Sequence, residues 1–214
     1  MKYLKTFVSA IIAGMCIGMG GIVFLSLENK IAGAFFFTTG LFVICLYKFN
    51  LFTGKVCYVF QKDKEYALNL PIIWAGNLAG AWLIAMLTQA TRINGISEKA
   101  STICQIKNDD SFISLFILGI LCDILIYIAV EGYATSPYEI GKHLSIFFGV
   151  MVFIFCGFEH CVADMFYYSV AGMWNGDALL RVVIISLGNA VGGVFIPLLR
   201  SFIEEKNTQS EVKN

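Results

Sequence analysis

Hydrophobic positions along this chain gather into six long runs once short polar breaks are allowed: Phe7–Leu27, Ile31–Phe60, Leu70–Gln89, Phe112–Val130, Leu144–Ala171 and Leu179–Phe202. About 20 apolar residues carry a helix across the ~30 Å hydrocarbon core of a bilayer. The pattern therefore predicts an all-α membrane protein with six transmembrane helices. The connectors are polar and short apart from Ala90–Ser111, and none is long enough to fold as a domain, so residues 1–214 read as a single membrane domain. Lys2 and Lys5 ahead of an apolar run resemble a signal peptide, but no small-x-small cleavage site follows. We read that run as the first span.

The two halves resemble each other. Phe7-Val-Ser-Ala-Ile-Ile-Ala-Gly14 matches Phe112-Ile-Ser-Leu-Phe-Ile-Leu-Gly119 at an offset of 105, and Gly76-Asn-Leu-Ala-Gly80 matches Gly188-Asn-Ala-Val-Gly192 at 112. Repeat one then covers about residues 5–89 and repeat two about 110–202. Three spans per half is an odd number, so the second repeat is expected upside down relative to the first, as in many transporters. The middle spans are the ones to watch. Residues 31–60 as a straight helix would rise about 45 Å, too far for one crossing. Breaks near Lys48–Asn50 and near Gly157 resolve the excess. Irregular backbone at membrane depth is tolerated where it is buried in protein or lines a cavity, so broken second and fifth helices point to a pore.

Composition narrows the class. The chain is 58% hydrophobic and 14% charged, with a mean hydropathy of +0.76. A soluble domain carries roughly a quarter charged residues. This excludes a soluble enzyme, a disordered chain and a nucleic-acid binder. The zero net charge carries no hint of a partner. An even number of spans puts both termini on one side. Placing them in the cytoplasm assigns Lys2, Lys5, Lys62, Lys64, Lys142, Arg200, Lys206 and Lys213 to the inner face, with Lys30, Arg92, Lys99, Lys107 and Arg181 outside. That excess favours termini inside. The cysteines fall mostly within spans, with no CxxC or His–Cys cluster, so neither a disulfide framework nor a metal or other cofactor is expected.

Ionisable groups inside spans are costly and are functional candidates by default. His160, beside Glu159, sits in the middle of span five, where it can hydrogen-bond an anion or donate a proton to one. Thr53, just past the span-two break, is the best candidate to bond His160 and fix its tautomer. Asp123 and Asp164 have two readings: pairing with Lys107, Lys48 or Lys55, or pointing into a vestibule. Phe37, Phe52 and Phe153 flank the breaks and read as pore constrictions. Asn77 and Asn189 follow glycine in equivalent spans and are expected to bond the backbone freed at the breaks. Gly76/Gly80 and Gly188/Gly192 read as close helix crossings.

Leu51-Phe-Thr-Gly54 and Gly157-Phe-Glu-His-Cys-Val-Ala-Asp-Met165 resemble the two defining motifs of the formate/nitrite transporter family, which includes formate, nitrite and hydrosulfide channels. The resemblance runs from about Lys5 to Phe202. It implies an aquaporin-like six-helix protomer, a homopentamer with one pore per protomer, a cytoplasmic N-terminus and a place in the cytoplasmic membrane. Carried over by motif, Phe37, Leu51, Phe52 and Phe153 fall at an outer hydrophobic constriction, with Leu41 and Ile126 at an inner one. Thr53 and His160 become the central polar pair. Lys107 falls at a lysine thought to attract anions and promote their protonation. Two departures stand out: Asp164 replaces the family's usual Asn beside Glu159 and Lys107, and only a few residues precede span one, where the family often carries an amphipathic helix.

The expected function is passage of small monovalent weak-acid anions, with protons as the second partner. A bare charge crossing a ring of Phe and Leu meets a large desolvation cost, whereas the neutral acid does not. The alternative is a channel for neutral small solutes. An aquaporin would show two Asn-Pro-Ala repeats, and Pro71, Pro137 and Pro197 form none. An ammonium channel would carry twin pore histidines, but His143 sits at a span boundary. An intramembrane serine protease would set its nucleophile in Gly-x-Ser, and Ser169 is not so placed. No enzyme is expected.

Overall fold

Helix breaks, rather than loops, organise this molecule. In the computed structural model the first run forms α1 (Lys2–Ser26), and the second divides into α2 (Lys30–Tyr47) and the short α3 (Phe52–Val56). The third run forms α4 (Lys64–Gln89) and the fourth α6 (Phe112–Thr135). The fifth divides into α7 (Glu139–Cys156) and α8 (Cys161–Ala171), and the sixth is α9 (Gly176–Glu211). Backbone is described for residues 1–211 and side chains for 1–204; Lys213 and the side chain of Lys206, assigned above to the inner face, lie outside the described residues. Among the described residues six helices are long and apolar enough to cross a bilayer: α1, α2, α4, α6, α7 and α9.

One element departs from the expected pattern. The connector Ala90–Ser111 holds a helix, α5 (Ile96–Asp109). It is too short and too polar to register as a span. Its buried residues are Ile96, Ala100, Cys104 and Lys107, spaced 4, 4 and 3 apart, which is one face of a helix.

Local chemistry sets the ends. Asn29 opens α2 by accepting the N–H groups of Ile31 (2.9 Å) and Ala32 (3.0 Å) on Oδ1. Asp63 accepts from Tyr66 at the start of α4, and Ser111 from Ser114 at the start of α6. Such caps satisfy N–H groups that the first helical turn leaves orphaned. α2 ends when Lys48 turns left-handed (φ 58°) and Phe49 N–H donates back to Ile44 O (3.0 Å). α7 ends the same way at Gly157 (φ 70°), with Phe158 N–H on Phe153 O (2.9 Å). Both are left-handed helix terminations that reuse freed carbonyls.

The contacts of one half recur in the other. An added Cβ at Gly80 would collide with the carbonyl oxygen of Ile11, and one at Gly192 with that of Ile120, so α1–α4 and α6–α9 cross with backbones touching. Ile11 to Ile120 is 109 residues. So are Ile44 to Phe153, the carbonyls that close the two breaks, and Lys48 to Gly157. The contacts therefore set α1 against α6 at an offset of 109. That is about one helical turn beyond the 105 of the Phe–Ser–Gly match.

Candidate functional site

Each break leaves polar backbone inside the protein, and an asparagine from a neighbouring helix satisfies it. Asn77 of α4 accepts Phe52 N–H (2.8 Å) on Oδ1 and donates Nδ2 to Asn50 O (2.9 Å) and Ala10 O (2.8 Å). Asn189 of α9 accepts Cys161 N–H (3.0 Å) and donates to Glu159 O and Gly119 O, both at 2.8 Å. These are the bonds expected of the two amides. Each closes the entrance of a half-helix, α3 or α8, and holds the residues around it.

Those entrances bring Thr53 and His160 together. Thr53 Oγ1 lies 3.0 Å from His160 Nε2, and both side chains are buried. His160 is also the N-cap of its own helix: Ala163 N–H donates to Nδ1 at 3.2 Å. A backbone N–H can only donate, so Nδ1 carries no proton and the ring's hydrogen sits on Nε2. The tautomer is thus set by Ala163, on the side of the ring away from Thr53. Nε2–H donates to Thr53 Oγ1 and leaves the threonine hydroxyl hydrogen free.

Aromatic rings pack on one side of this pair. Phe153 stacks on the His160 ring (centroids 5.7 Å, planes 15° apart) and meets Phe37 edge-on at 6.1 Å. On another side lies a cavity of about 820 Å³, lined by Leu41, Ile44, Leu51, Gly54 and Val130 at its apolar end and by Lys48, Lys55, Tyr58, Lys62, Glu131, Lys142 and His143. Leu51 lines it beside Leu41, although the two were expected at opposite constrictions. Phe37 and Phe153 meet each other away from it, Phe52 is half-buried, and Ile126 is buried in the core.

The ionisable residues near the second break form a closed group. Lys107, in the last turn of α5, bridges Glu159 and Asp164, the latter at 2.9 Å, and all three are buried. Of the two readings of Asp164, pairing with Lys107 is the one realised. Asp123 pairs with none of the named lysines: Oδ2 faces Cys57 Sγ at 4.0 Å and Oδ1 has no hydrogen-bond partner among the described residues.

The sequence profile of the family described as "Formate/nitrite transporter" matches residues 1–202. The chain belongs to the formate/nitrite transporter family. An uncharacterised transporter of Bacillus subtilis is 31% identical over 198 residues, covering 85% of this chain and 74% of the relative. A formate-nitrite transporter of Entamoeba histolytica is 25% identical, covering 90% of this chain; the chain spans 62% of that longer relative. The structure of a pentameric formate channel with formate bound superposes with a TM-score of 0.82 at 24% identity, covering 95% of this chain and 98% of that one. Membership in this family makes the chain a multi-pass membrane transporter and not an enzyme.

Within this transporter one supporting residue escaped sequence reasoning. Arg181 of α9, read above as an outer loop cation, is buried. It donates Nη1 to Lys107 O (2.7 Å) and Asp110 O (2.8 Å), donates Nε to Asp177 (2.6 Å), and lies over the Phe112 ring at 5.0 Å. It closes the carboxyl end of α5 and so fixes the backbone that carries Lys107. Two of its partners are backbone carbonyls more than 70 residues away, and no sequence pattern announces them.

Proposed function

We propose that this chain passes small monovalent weak-acid anions such as formate, nitrite or hydrosulfide across the cytoplasmic membrane, as one protomer of a homopentamer with both termini in the cytoplasm. The pore runs between two inverted three-span halves where their broken helices meet. The buried Thr53–His160 bond carries the reading. It joins the entrances of the two half-helices through a hydroxyl and an imidazole whose hydrogens and lone pairs can replace part of an anion's hydration.

Phe37 and Phe153 form one hydrophobic constriction, and Leu41 and Leu51, which line the cavity together, form the other. Lysines lining the 820 Å³ vestibule raise the local anion concentration. The bare ion then meets apolar side chains, where an unpaired charge is strongly disfavoured. His160 serves as a hydrogen-bond donor rather than an acid. Giving up its single ring proton would leave an anion, and a second proton on Nδ1 would break the bond from Ala163. Its Nε2–H polarises Thr53, whose free hydroxyl hydrogen faces the passing anion.

The test is formate uptake into proteoliposomes by wild type and His160→Phe. Phenylalanine keeps the ring stack with Phe153 but removes both ring nitrogens. Uptake should fall by an order of magnitude or more, in line with the cost of losing the polar partners of a desolvated anion. Unchanged uptake with an unchanged pH profile would overturn the role of His160.

A further inference from the structure

The group around Lys107 contains one more acid than its base can balance. Written fully ionised, Lys107, Glu159 and Asp164 sum to −1, and the side chains are 7%, 8% and 2% exposed. Asp164 gives Oδ1 to Lys107, while its other oxygen, Oδ2, is buried without a hydrogen-bond partner among the described residues. An unpaired buried charge costs several kcal/mol even after relaxation. A carboxylate would leave half its charge on that bare oxygen.

Among the described residues the surroundings offer no second cation. The ionisable groups facing Asp164 are Lys107 and Cys104 on α5, Glu159 in the break, Cys122 on α6, and Cys161, Tyr167 and Tyr168 on α8 itself. Lys107 is the one base in that set, and two acids share it. Arg181, close by, is already committed to two carbonyls and Asp177. The geometry is also rigid. Glu159 is held by Asn189 through its carbonyl, Lys107 by Arg181, and Asp164 by its backbone bond to His160 O one turn earlier (3.0 Å).

We propose that the Glu159–Asp164 pair is a proton-binding site that sets the charge beside the anion path. Resting on the reading of this chain as an anion channel, the inference concerns its regulation. With one proton on the pair, the group with Lys107 is neutral. When that proton leaves to water, the group becomes −1 and repels the anion at the neighbouring His160. Anion passage therefore falls as pH rises, beyond what the anion's own protonation dictates. An amide at position 164 would remove the switch, because Lys107 and Glu159 then balance at every pH.

The experiment is formate uptake into proteoliposomes by wild type and Asp164→Asn, nearly isosteric, from about pH 5 to about pH 8. At each pH the substrate's own titration cancels in the ratio of variant to wild-type uptake. That ratio should lie near one at the acid end and rise on the order of tenfold toward the alkaline end. The estimate is that of one unit charge removed ~10 Å from the anion at an effective dielectric constant of ~20. A ratio flat across the range overturns the proposal.

Infrared difference spectra supply a second readout, and its wild-type half does not depend on the variant's folding. A protonated-carboxyl carbonyl band should shrink as pH is raised; its absence, or its full persistence in Asp164→Asn, overturns the proposal. Wild type that takes up no formate would overturn the proposed substrates, while the infrared band would still decide the proton site.

Discussion

At Lys48–Leu51 and at Gly157–His160 the chain leaves one helix through a left-handed residue, runs briefly extended, and enters another under an asparagine amide. The backbone plan repeats residue for residue at a spacing of 109, yet the side chains on it differ at nearly every step. Lys48 stands against Gly157, Asn50 against Glu159, Leu51 against His160, and Thr53 against Val162. What repeats is the part that backbone hydrogen bonding demands, because a buried N–H or carbonyl must find a partner whichever half it belongs to. What differs is the part that chemistry uses. One half contributes a hydroxyl and the other an imidazole, and the two meet across the breaks. The first half supplies Lys48, Lys55 and Lys62 to a vestibule that both halves line, and the second holds the buried carboxyls Glu159 and Asp164.

The sharpest way to break this comparison is to remove the shared element from each side. Asn189→Ala orphans Cys161 N–H and the carbonyls of Glu159 and Gly119, all inside the protein beside the Lys107 group. A loss on the order of 3 kcal/mol or more follows from three lost bonds with buried groups left unpaired. Asn77→Ala orphans the equivalent groups, but Asn50 and Phe52 are only partly buried, so water can replace some of what is lost. Melting of the detergent-solubilised protein should drop in both variants and further in Asn189→Ala. Equal losses would mean that the two amides do the same amount of work despite their surroundings.

Arg181 sharpens the same contrast, since it supports the charge at the second break. Arg181→Lys keeps the charge but cannot reach Lys107 O, Asp110 O and Asp177 together with one ammonium as the planar fork does. A cost of about 1–2 kcal/mol is expected in melting experiments, with formate uptake lowered as Lys107 loses its fixed backbone. Unchanged melting would show that the α5–α6 turn holds itself.

How much of this could be read in advance depended on the range of the interactions. Six apolar runs became six long helices, and the breaks fell at Lys48–Leu51 and Gly157–His160, because span length and local glycine chemistry are near-neighbour properties. The helix α5 was passed over because it is short and polar, although Ile96, Ala100, Cys104 and Lys107 already marked a buried face. The offset of 105 was one turn short because similar residues recur on successive turns of an apolar helix, and only the glycine crossings decide between them. Leu51 adjoins the vestibule with Leu41 beyond the left-handed turn with which α2 ends at Lys48, and that geometry has no sequence signature beyond a lysine.

That lysine gives the smallest effect and the cleanest contrast. Lys48 occupies a conformation that L side chains resist by roughly 1–2 kcal/mol and that glycine adopts freely, as Gly157 does at the equivalent place. Lys48→Gly should therefore stabilise the protein, by about 0.5–1 kcal/mol after the extra chain entropy of glycine is counted. Gly157→Ala should destabilise it by about 1 kcal/mol, through φ alone, since an added Cβ there would meet nothing within 4 Å. Opposite signs at equivalent positions would show that the two turns share one backbone constraint and that Lys48 is kept in spite of it. The reason should then appear in transport: Lys48→Gly removes a cation from the vestibule, so formate uptake should fall a few-fold at low ionic strength and recover toward wild type as salt screens the remaining lysines. A stabilised variant with unaltered uptake at low salt would leave the strain at Lys48 without a function, and the first break would be scaffold alone.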